Sequence, residues 1–138
     1  MDYNKNFLHC FRKISENIEK DGNAKLKDVG LTLTQGQVLK YLSDKEDNTA
    51  TYKEVESILE IAQSSAASLI SRLESKGFVR TFTDSADKRI KLLELTESGE
   101  SCILASGKCI EELKQELFDK LTEAEVETLM ALLQKITD

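Results

Sequence analysis

The chain has 138 residues, a formal net charge of −6, no proline and three cysteines. Its length predicts one domain, and the lack of proline favours long, unbroken helices. No run of about 18 apolar residues occurs and the first residues lack the apolar core of a signal peptide, so we expect a cytoplasmic protein without a membrane span.

The amino-terminal part of the chain predicts helices joined by short loops. Residues 7–20 carry a stripe of apolar side chains at helical spacing, and the stretch around Gly22 is expected to loosen the chain. Thr34 and Gln37 have the spacing of a capping box, which predicts a helix over residues 35–42.

Residues 51–77 have the pattern of two helices separated by a tight turn. Thr51 and Glu54 form a second capping box, which begins the first helix. The second helix covers residues 63–76, and Gly77 ends it. Its inner face is apolar, with Ala66, Leu69, Ile70 and Leu73. Its opposite face carries hydroxyl and cationic side chains: Ser64, Ser65, Ser68, Arg72 and Lys76.

Two segments with the composition of strands follow, residues 78–83 and 90–95. Turn formers and two adjacent cations lie between them in the run DSADKR. A helix, a glycine, a strand, a charged turn and a strand follow one another in a winged helix. We therefore expect a mainly α (α+β) fold, with a winged helix-turn-helix core and a two-stranded wing, flanked by N- and C-terminal dimerisation helices.

The helix over residues 63–76 is the candidate for insertion into the major groove of DNA. Short hydroxyl side chains can approach bases and phosphates closely, with Gln63 as an adenine reader and Arg72 as a phosphate contact. Cations at the hairpin tip suit the narrow, negative minor groove, and Asp87 is better placed to brace Arg89 than to face a phosphate. The candidate DNA-binding residues are Gln63, Ser64, Ser65, Ser68, Arg72, Lys76, Asp87, Lys88 and Arg89.

The net negative charge is unevenly distributed along the chain. Residues 63–91 hold six cations and three anions, so this segment carries +3 and the remainder carries −9. A basic face on an acidic body predicts modest affinity for double-stranded DNA, with a steep dependence on salt.

The run LISRLESKGFVR, followed by DSADKRIKLLELTESG, resembles the winged-helix core of the MarR family of transcriptional regulators. The shared motifs are Arg72-Leu73-Glu74 with Gly77, Asp87-Lys88-Arg89, and Leu95-Thr96-Glu97-Ser98-Gly99. The resemblance is strongest over residues 31–99, and Ser68 lies where many relatives carry a basic residue. It implies a DNA-binding regulator in which a small aromatic or anionic effector changes the distance between two recognition helices.

Two helices are predicted after the wing, and the last of them is more apolar than one face of a monomer of this size needs. Thr96 is expected to cap the first, and Thr122 with Glu125 forms a third capping box for the last. This pattern, together with the resemblance, predicts that residues 1–28 and 96–138 form a homodimer interface. The alternative is an ordinary intramolecular bundle. A two-fold dimer would bind a palindromic operator, with recognition helices about 34 Å apart.

Three cysteines, an odd number, predict reduced thiols. Cys102 and Cys109 are separated by about 10 Å along a helix axis, too far for a disulfide within one helix, and pairing across a dimer axis stays open as an alternative to their packing as small apolar side chains. Cys10 lies where the organic-hydroperoxide-sensing branch of the family keeps its reactive cysteine, although the tyrosines expected around that thiol are absent. A single histidine, His9, and the lack of catalytic motifs predict no metal site, no cofactor and no enzyme activity.

These patterns predict a sequence-specific DNA-binding transcriptional regulator, a ligand-responsive repressor that binds a palindromic operator as a dimer. Two alternatives stay open. One is a winged-helix adaptor that binds proteins without touching DNA, which the acidic net charge favours. The other is a repressor that is switched by oxidation of Cys10.

Overall fold

The computed structural model describes the backbone of residues 3–138 and the side chains from Asn6 onward. Met1 and Asp2, the first residues of the predicted N-terminal dimerisation segment, therefore lie outside the described residues. Six α-helices and one three-stranded antiparallel sheet occur within residues 3–138. This architecture confirms the predicted mainly helical fold with a wing.

The elements follow one another as a helix-turn-helix and hairpin with further helices at both ends. Their bounds are α1 Tyr3–Leu26, α2 Leu33–Asp44, β1 Thr49–Thr51, α3 Tyr52–Leu59, α4 Gln63–Ser75, β2 Val79–Thr83, β3 Lys91–Leu95, α5 Glu97–Leu117 and α6 Glu123–Thr137. A 3-10 turn, Lys27–Val29, lies between α1 and α2. None of the helices in the described part is long and apolar enough to cross a membrane.

The sheet has the strand order β1-β3-β2, with both pairs antiparallel. In the hairpin, Val79 pairs with Leu95 and Thr83 pairs with Lys91, which confirms the predicted wing strands. The sequence analysis predicted no strand before α3 and so missed β1. This strand is only three residues long, and the buried Ala50 pairs with the buried Leu93.

Helix α1 continues through Gly22, so the prediction that the chain loosens there is wrong. A Cβ atom on Gly22 would lie 3.2 Å from Leu33 in α2 and 3.4 Å from Leu113 in α5. The glycine therefore allows three helices to pack closely at this point. The chain changes direction later, at Gly30, whose φ of 81° lies in the left-handed region.

The amino terminus of α2 begins two residues earlier than predicted. Its capping box consists of Thr32 and Gln35, and the predicted pair of Thr34 and Gln37 is wrong. The Thr32 hydroxyl accepts from the Gln35 N–H at 3.2 Å, while the Gln35 side chain accepts from the Thr32 N–H at 3.1 Å. The same hydroxyl-to-glutamine spacing occurs twice in the sequence, and the structure uses the first.

The other predicted helix starts are confirmed. Thr51 with Glu54 and Thr122 with Glu125 form complete capping boxes at the starts of α3 and α6. Thr96 accepts a hydrogen bond from the Gly99 N–H and so caps α5. Each such cap stabilises its helix by about 1 kcal/mol.

The hydrophobic core lies inside the helix-turn-helix and the base of the wing. Its fully buried side chains come mainly from α2, α3, α4 and β3, and they include Leu39, Leu42, Val55, Ile70, Leu73 and Leu93. By contrast, α6 contributes no buried side chain. The core therefore fixes the position of α4 and the hairpin, while both terminal helices leave large apolar side chains exposed.

Candidate nucleic-acid interface

Helix α4 is held against the core by one apolar face. Ala66, Ile70 and Leu73 are fully buried at helical spacing, so the opposite face must point to solvent. The helix ends at Ser75, and Gly77, with a φ of 79°, turns the chain into the wing. The Phe78 N–H donates to the Leu73 carbonyl at 3.0 Å and closes this end.

The solvent face of α4 carries the predicted contact residues. The side chains of Gln63, Ser64, Ser65, Ser68 and Arg72 are all exposed. Among the hydrogen bonds of the described residues, none involves these five side chains, so their donors and acceptors are available to a ligand. A row of short hydroxyls with one flanking guanidinium can approach a polyanion closely.

Lys76 is placed differently from its prediction as a DNA contact. Its amine donates to the Gly30 carbonyl at 2.7 Å and to the Gln35 side chain at 2.9 Å. The lysine therefore ties the end of α4 to the beginning of α2. Because two of its three donors are used inside the chain, we leave Lys76 out of the proposed interface.

The tip of the wing is a turn built around Asp84. Its carboxylate accepts from the N–H groups of Ala86 and Asp87 at 2.7 and 3.1 Å. The Asp84 N–H also donates to the Ile90 carbonyl at 2.9 Å, which closes the hairpin. This turn fixes the backbone from which Lys88 and Arg89 project.

Arg89 is paired with Asp87, as predicted. The guanidinium donates from Nε to Oδ1 at 3.0 Å and from Nη2 to Oδ2 at 3.1 Å. These bonds hold the pKa of Asp87 below its usual range and raise the pKa of Arg89. The Arg89 side chain nevertheless remains 91% exposed, so its outer edge is free to bind.

The other two cations of residues 63–91, Arg80 and Lys91, lie on opposite faces of the sheet. Arg80 donates to Glu94 at 2.9 Å and stacks on Phe82 at 4.5 Å, so its charge is compensated on the outer face. Lys91 lies two residues from the buried Leu93 and therefore shares its inner face, where its amine is 5.9 Å from the Tyr52 ring. The sequence analysis counted the charge of Lys91 but did not place its side chain on the inner face of the sheet. The alternation of side chains along a strand would have predicted that face.

The three cysteines are all unpaired. Cys10 is exposed, whereas Cys102 is buried and lies 3.3 Å from the Val29 carbonyl. Burial raises the pKa of the Cys102 thiol, which makes it a poor nucleophile. No cluster of three potential metal ligands occurs in the described part of the chain.

Comparisons with known proteins point to one family. The family model described as "MarR family" matches residues 29–90. The transcriptional regulator HosA from Escherichia coli is 31% identical over 109 residues, which cover 77% of this chain and 77% of HosA.

Solved structures extend the similarity to the whole chain. One is a crystal structure of a mutant MarR from E. coli in complex with operator DNA, which is 26% identical in sequence and has a TM-score of 0.86. The match covers 100% of this chain and 99% of that chain. BpsR from Bordetella bronchiseptica, whose DNA binding is regulated by 6-hydroxynicotinic acid, is 26% identical with a TM-score of 0.84. That match covers 94% of this chain and 97% of BpsR.

Proposed function

Because this chain belongs to the MarR family of transcriptional regulators, we propose that it is a ligand-responsive repressor that binds a palindromic operator as a homodimer. One observation carries the proposal. The exposed face of α4 has hydrogen-bonding side chains with no partner in the described structure, and the adjacent wing presents a braced, exposed arginine.

In this proposal α4 lies in the major groove. Ser64, Ser65 and Ser68 contact bases and phosphates, and Gln63 pairs with the N6 and N7 atoms of an adenine. Arg72, farther along the same face, contacts the backbone and fixes the register of the helix. Because the uncharged Ser68 lies where many relatives carry a basic residue, this face has less positive charge than theirs. Recognition here therefore depends more on hydrogen bonds than on electrostatic attraction to phosphates.

The wing contacts the neighbouring minor groove. Arg89 enters it with its guanidinium oriented by Asp87, because a narrow minor groove has an enhanced negative potential. Lys88 adds a phosphate contact. The carboxylate of Asp87 is occupied by Arg89, which limits its repulsion of the DNA backbone.

The exposed apolar side chains of the terminal helices support a homodimer formed by residues 1–28 and 96–138. They are Phe7, Leu8, Phe11 and Ile14 on α1, Leu104, Ile110 and Leu117 on α5, Leu121 between α5 and α6, and Met130, Leu132 and Ile136 on α6. These side chains are 37–78% exposed, so covering the exposed part of each would contribute roughly 0.5–2 kcal/mol. A surface of this size is a liability for a monomer and suits an obligate interface.

A crevice of about 820 Å³ between α2, α3 and α5 suits an effector of the aromatic-acid class. Its wall is largely apolar, with Leu33, Ile58 and Ile103, and Tyr41 and Lys40 supply polar groups. BpsR responds to 6-hydroxynicotinic acid, an aromatic acid. A ligand here would lie between the helix-turn-helix and the proposed dimer layer, where it can favour one separation of the two α4 helices.

Oxidation of Cys10 is a second way to switch the same repressor. Its thiol is exposed on α1, in the proposed dimer segment, whereas Cys102 is buried. If this switch operates, peroxide releases DNA from the wild type and a Cys10→Ser protein keeps its DNA in the same experiment.

The decisive experiment is fluorescence anisotropy with duplex DNA that flanks the protein's own coding region, measured across a salt series. A shuffled duplex of the same length and composition is the control. We expect tight, salt-sensitive binding of two chains per site and release by 6-hydroxynicotinic acid. Weak binding that is equal for both duplexes would instead favour the protein-binding adaptor.

A further inference from the structure

Glu74, in the last turn of α4, joins the recognition helix to the wing. Its carboxylate accepts from the Thr81 N–H at 3.2 Å and from the Thr81 hydroxyl. Thr81 is the central residue of β2. Within the described residues, these are the only side-chain hydrogen bonds between α4 and the two wing strands.

The contact between Glu74 and Thr81, here called the joint, lies on the inner face of the wing. Thr81 is paired with Leu93, which is fully buried against the core, and Lys91 follows on the same face. Tyr52, the first residue of α3, packs there with its ring below the Lys91 amine. Glu74 and Thr81 therefore link α4 to the wing on this inner face.

The charge of Glu74 makes its position informative. The side chain is exposed on the helix proposed to enter DNA, so the carboxylate weakens phosphate binding by repulsion. A side chain whose only role was to attract phosphates would not be an acid at this position. Its two bonds to Thr81 supply a reason for the acid, because a carboxylate accepts both donors of Thr81 at once.

We propose that Glu74 is a positioning residue, which fixes the angle of the wing so that Arg89 reaches the minor groove while α4 occupies the major groove. This inference rests on the proposed function. The wing tip lies roughly five residues beyond Thr81, two of them in β2 and the others in the turn, so its distance from Thr81 is at most about 16 Å. A tilt of about 10° at Thr81 would therefore move the tip by up to about 3 Å, half the roughly 6 Å width of the minor groove.

The test compares Glu74→Ala with Glu74→Gln on the operator duplex. The glutamine oxygen can still accept from Thr81 without the negative charge, so Glu74→Gln should bind as tightly as the wild type or more tightly. Glu74→Ala should bind roughly five- to tenfold more weakly, since it loses the joint. If both variants bound more tightly, Glu74 would act only as a repulsive charge and the proposal would be overturned.

The Arg89→Ala background separates positioning of the wing from a general loss of structure. Without Arg89 the wing tip keeps only the Lys88 contact, which tolerates a shift of the tip better than insertion into the minor groove does, so Glu74→Ala should then change affinity by less than roughly twofold. An equal loss in both backgrounds would contradict the proposal. Unfolding of each variant by denaturant shows whether the protein is intact.

Hydrogen exchange of the wing amides gives a readout that requires no DNA. In Glu74→Ala, residues 79–95 should exchange faster than in Glu74→Gln, with α2 and α5 unchanged. If the wild type bound no duplex, the proposed function would fail, and exchange alone would decide whether Glu74 fixes the wing. Equal exchange in the two variants would overturn the positioning role.

Discussion

The amine of Lys76 lies 2.9 Å from the side-chain oxygen of Gln35, a buried residue that precedes it by 41 positions. The same amine donates to the Gly30 carbonyl. The end of α4 is therefore fastened to the beginning of α2, and a cation within residues 63–91 stabilises the fold. This arrangement separates Lys76 from Lys88, which projects freely from the wing.

Lys76→Met should destabilise the fold and leave the salt dependence of DNA binding unchanged. The substitution keeps the apolar stem and removes a charged donor from two acceptors, which should cost about 1 kcal/mol. Denaturant unfolding measures the first effect, and anisotropy across a salt series measures the second. Lys88→Met is the matched control and should leave the stability unchanged. It should make the slope of log affinity against log salt shallower by about 0.9, because one phosphate fewer is neutralised. If Lys76→Met gave the result expected for Lys88→Met, the sequence-based assignment of Lys76 to DNA would be correct.

Arg89→Ala should weaken operator binding by about 1–3 kcal/mol without affecting stability. The guanidinium is exposed and its ion pair with Asp87 is on the surface, so folding gains little from it. Arg80→Ala is the control, since it removes the same charge from the same hairpin. Because Arg80 is already paired with Glu94 on the outer face, its loss should change affinity by less than about 0.5 kcal/mol. Equal losses for the two variants would mean that the wing acts only through net charge.

Much of the local structure at this candidate interface is predictable from sequence, because the signals lie close together in the chain. The change from helical spacing in residues 63–76 to strand composition locates α4, β2 and β3 within one or two residues. The Asp87–Arg89 pair spans only two positions. What could not be predicted depends on residues far apart in sequence, as the capping box of α2 illustrates.

Thr32 and Thr34 both have a glutamine three positions later, so local spacing does not choose between them. Contacts with residues distant in sequence determine that Thr32 caps α2. The Leu33 N–H donates to the Asn23 side chain at 2.7 Å, and Gln35 accepts from Lys76. Strand β1 was missed for a related reason, since three residues carry no periodicity and Ala50 is buried only because β3 pairs with it.

Gly99→Ala should destabilise the protein strongly, by about 3 kcal/mol. Gly99 is buried at the start of α5, and a Cβ atom there would collide with the Phe78 carbonyl and lie 2.7 Å from Leu95. The backbone cannot retreat easily, because that carbonyl accepts from the Thr96 N–H at 3.1 Å. This contact explains why a glycine ends the motif Leu95-Thr96-Glu97-Ser98-Gly99. Ser98→Ala, at the exposed neighbouring position, is the control and should unfold like the wild type.

Glu54 should make the stability of the fold depend on pH in the acid range. Its carboxylate accepts from the Lys45 amine at 2.9 Å, the Thr51 N–H at 2.6 Å and the Tyr41 hydroxyl at 3.1 Å. These bonds, with the Lys45 bond first, hold the pKa of Glu54 below its ordinary value of 4.5. Because the folded state favours the ionised form, the stabilisation is complete above pH 4.5 and is lost as the pH falls through the lower folded-state pKa.

The stability difference between the wild type and Glu54→Gln should therefore be largest near neutral pH and should shrink as the solution is acidified below pH 4.5. Denaturant unfolding at a fixed protein concentration over a pH series measures it. Glu56→Gln removes a carboxylate from the same helix without touching the Lys45, Thr51 and Tyr41 bonds, so it is the matched control. A difference for Glu54→Gln that grew on acidification would have the wrong sign and would show that this network does not stabilise the folded state.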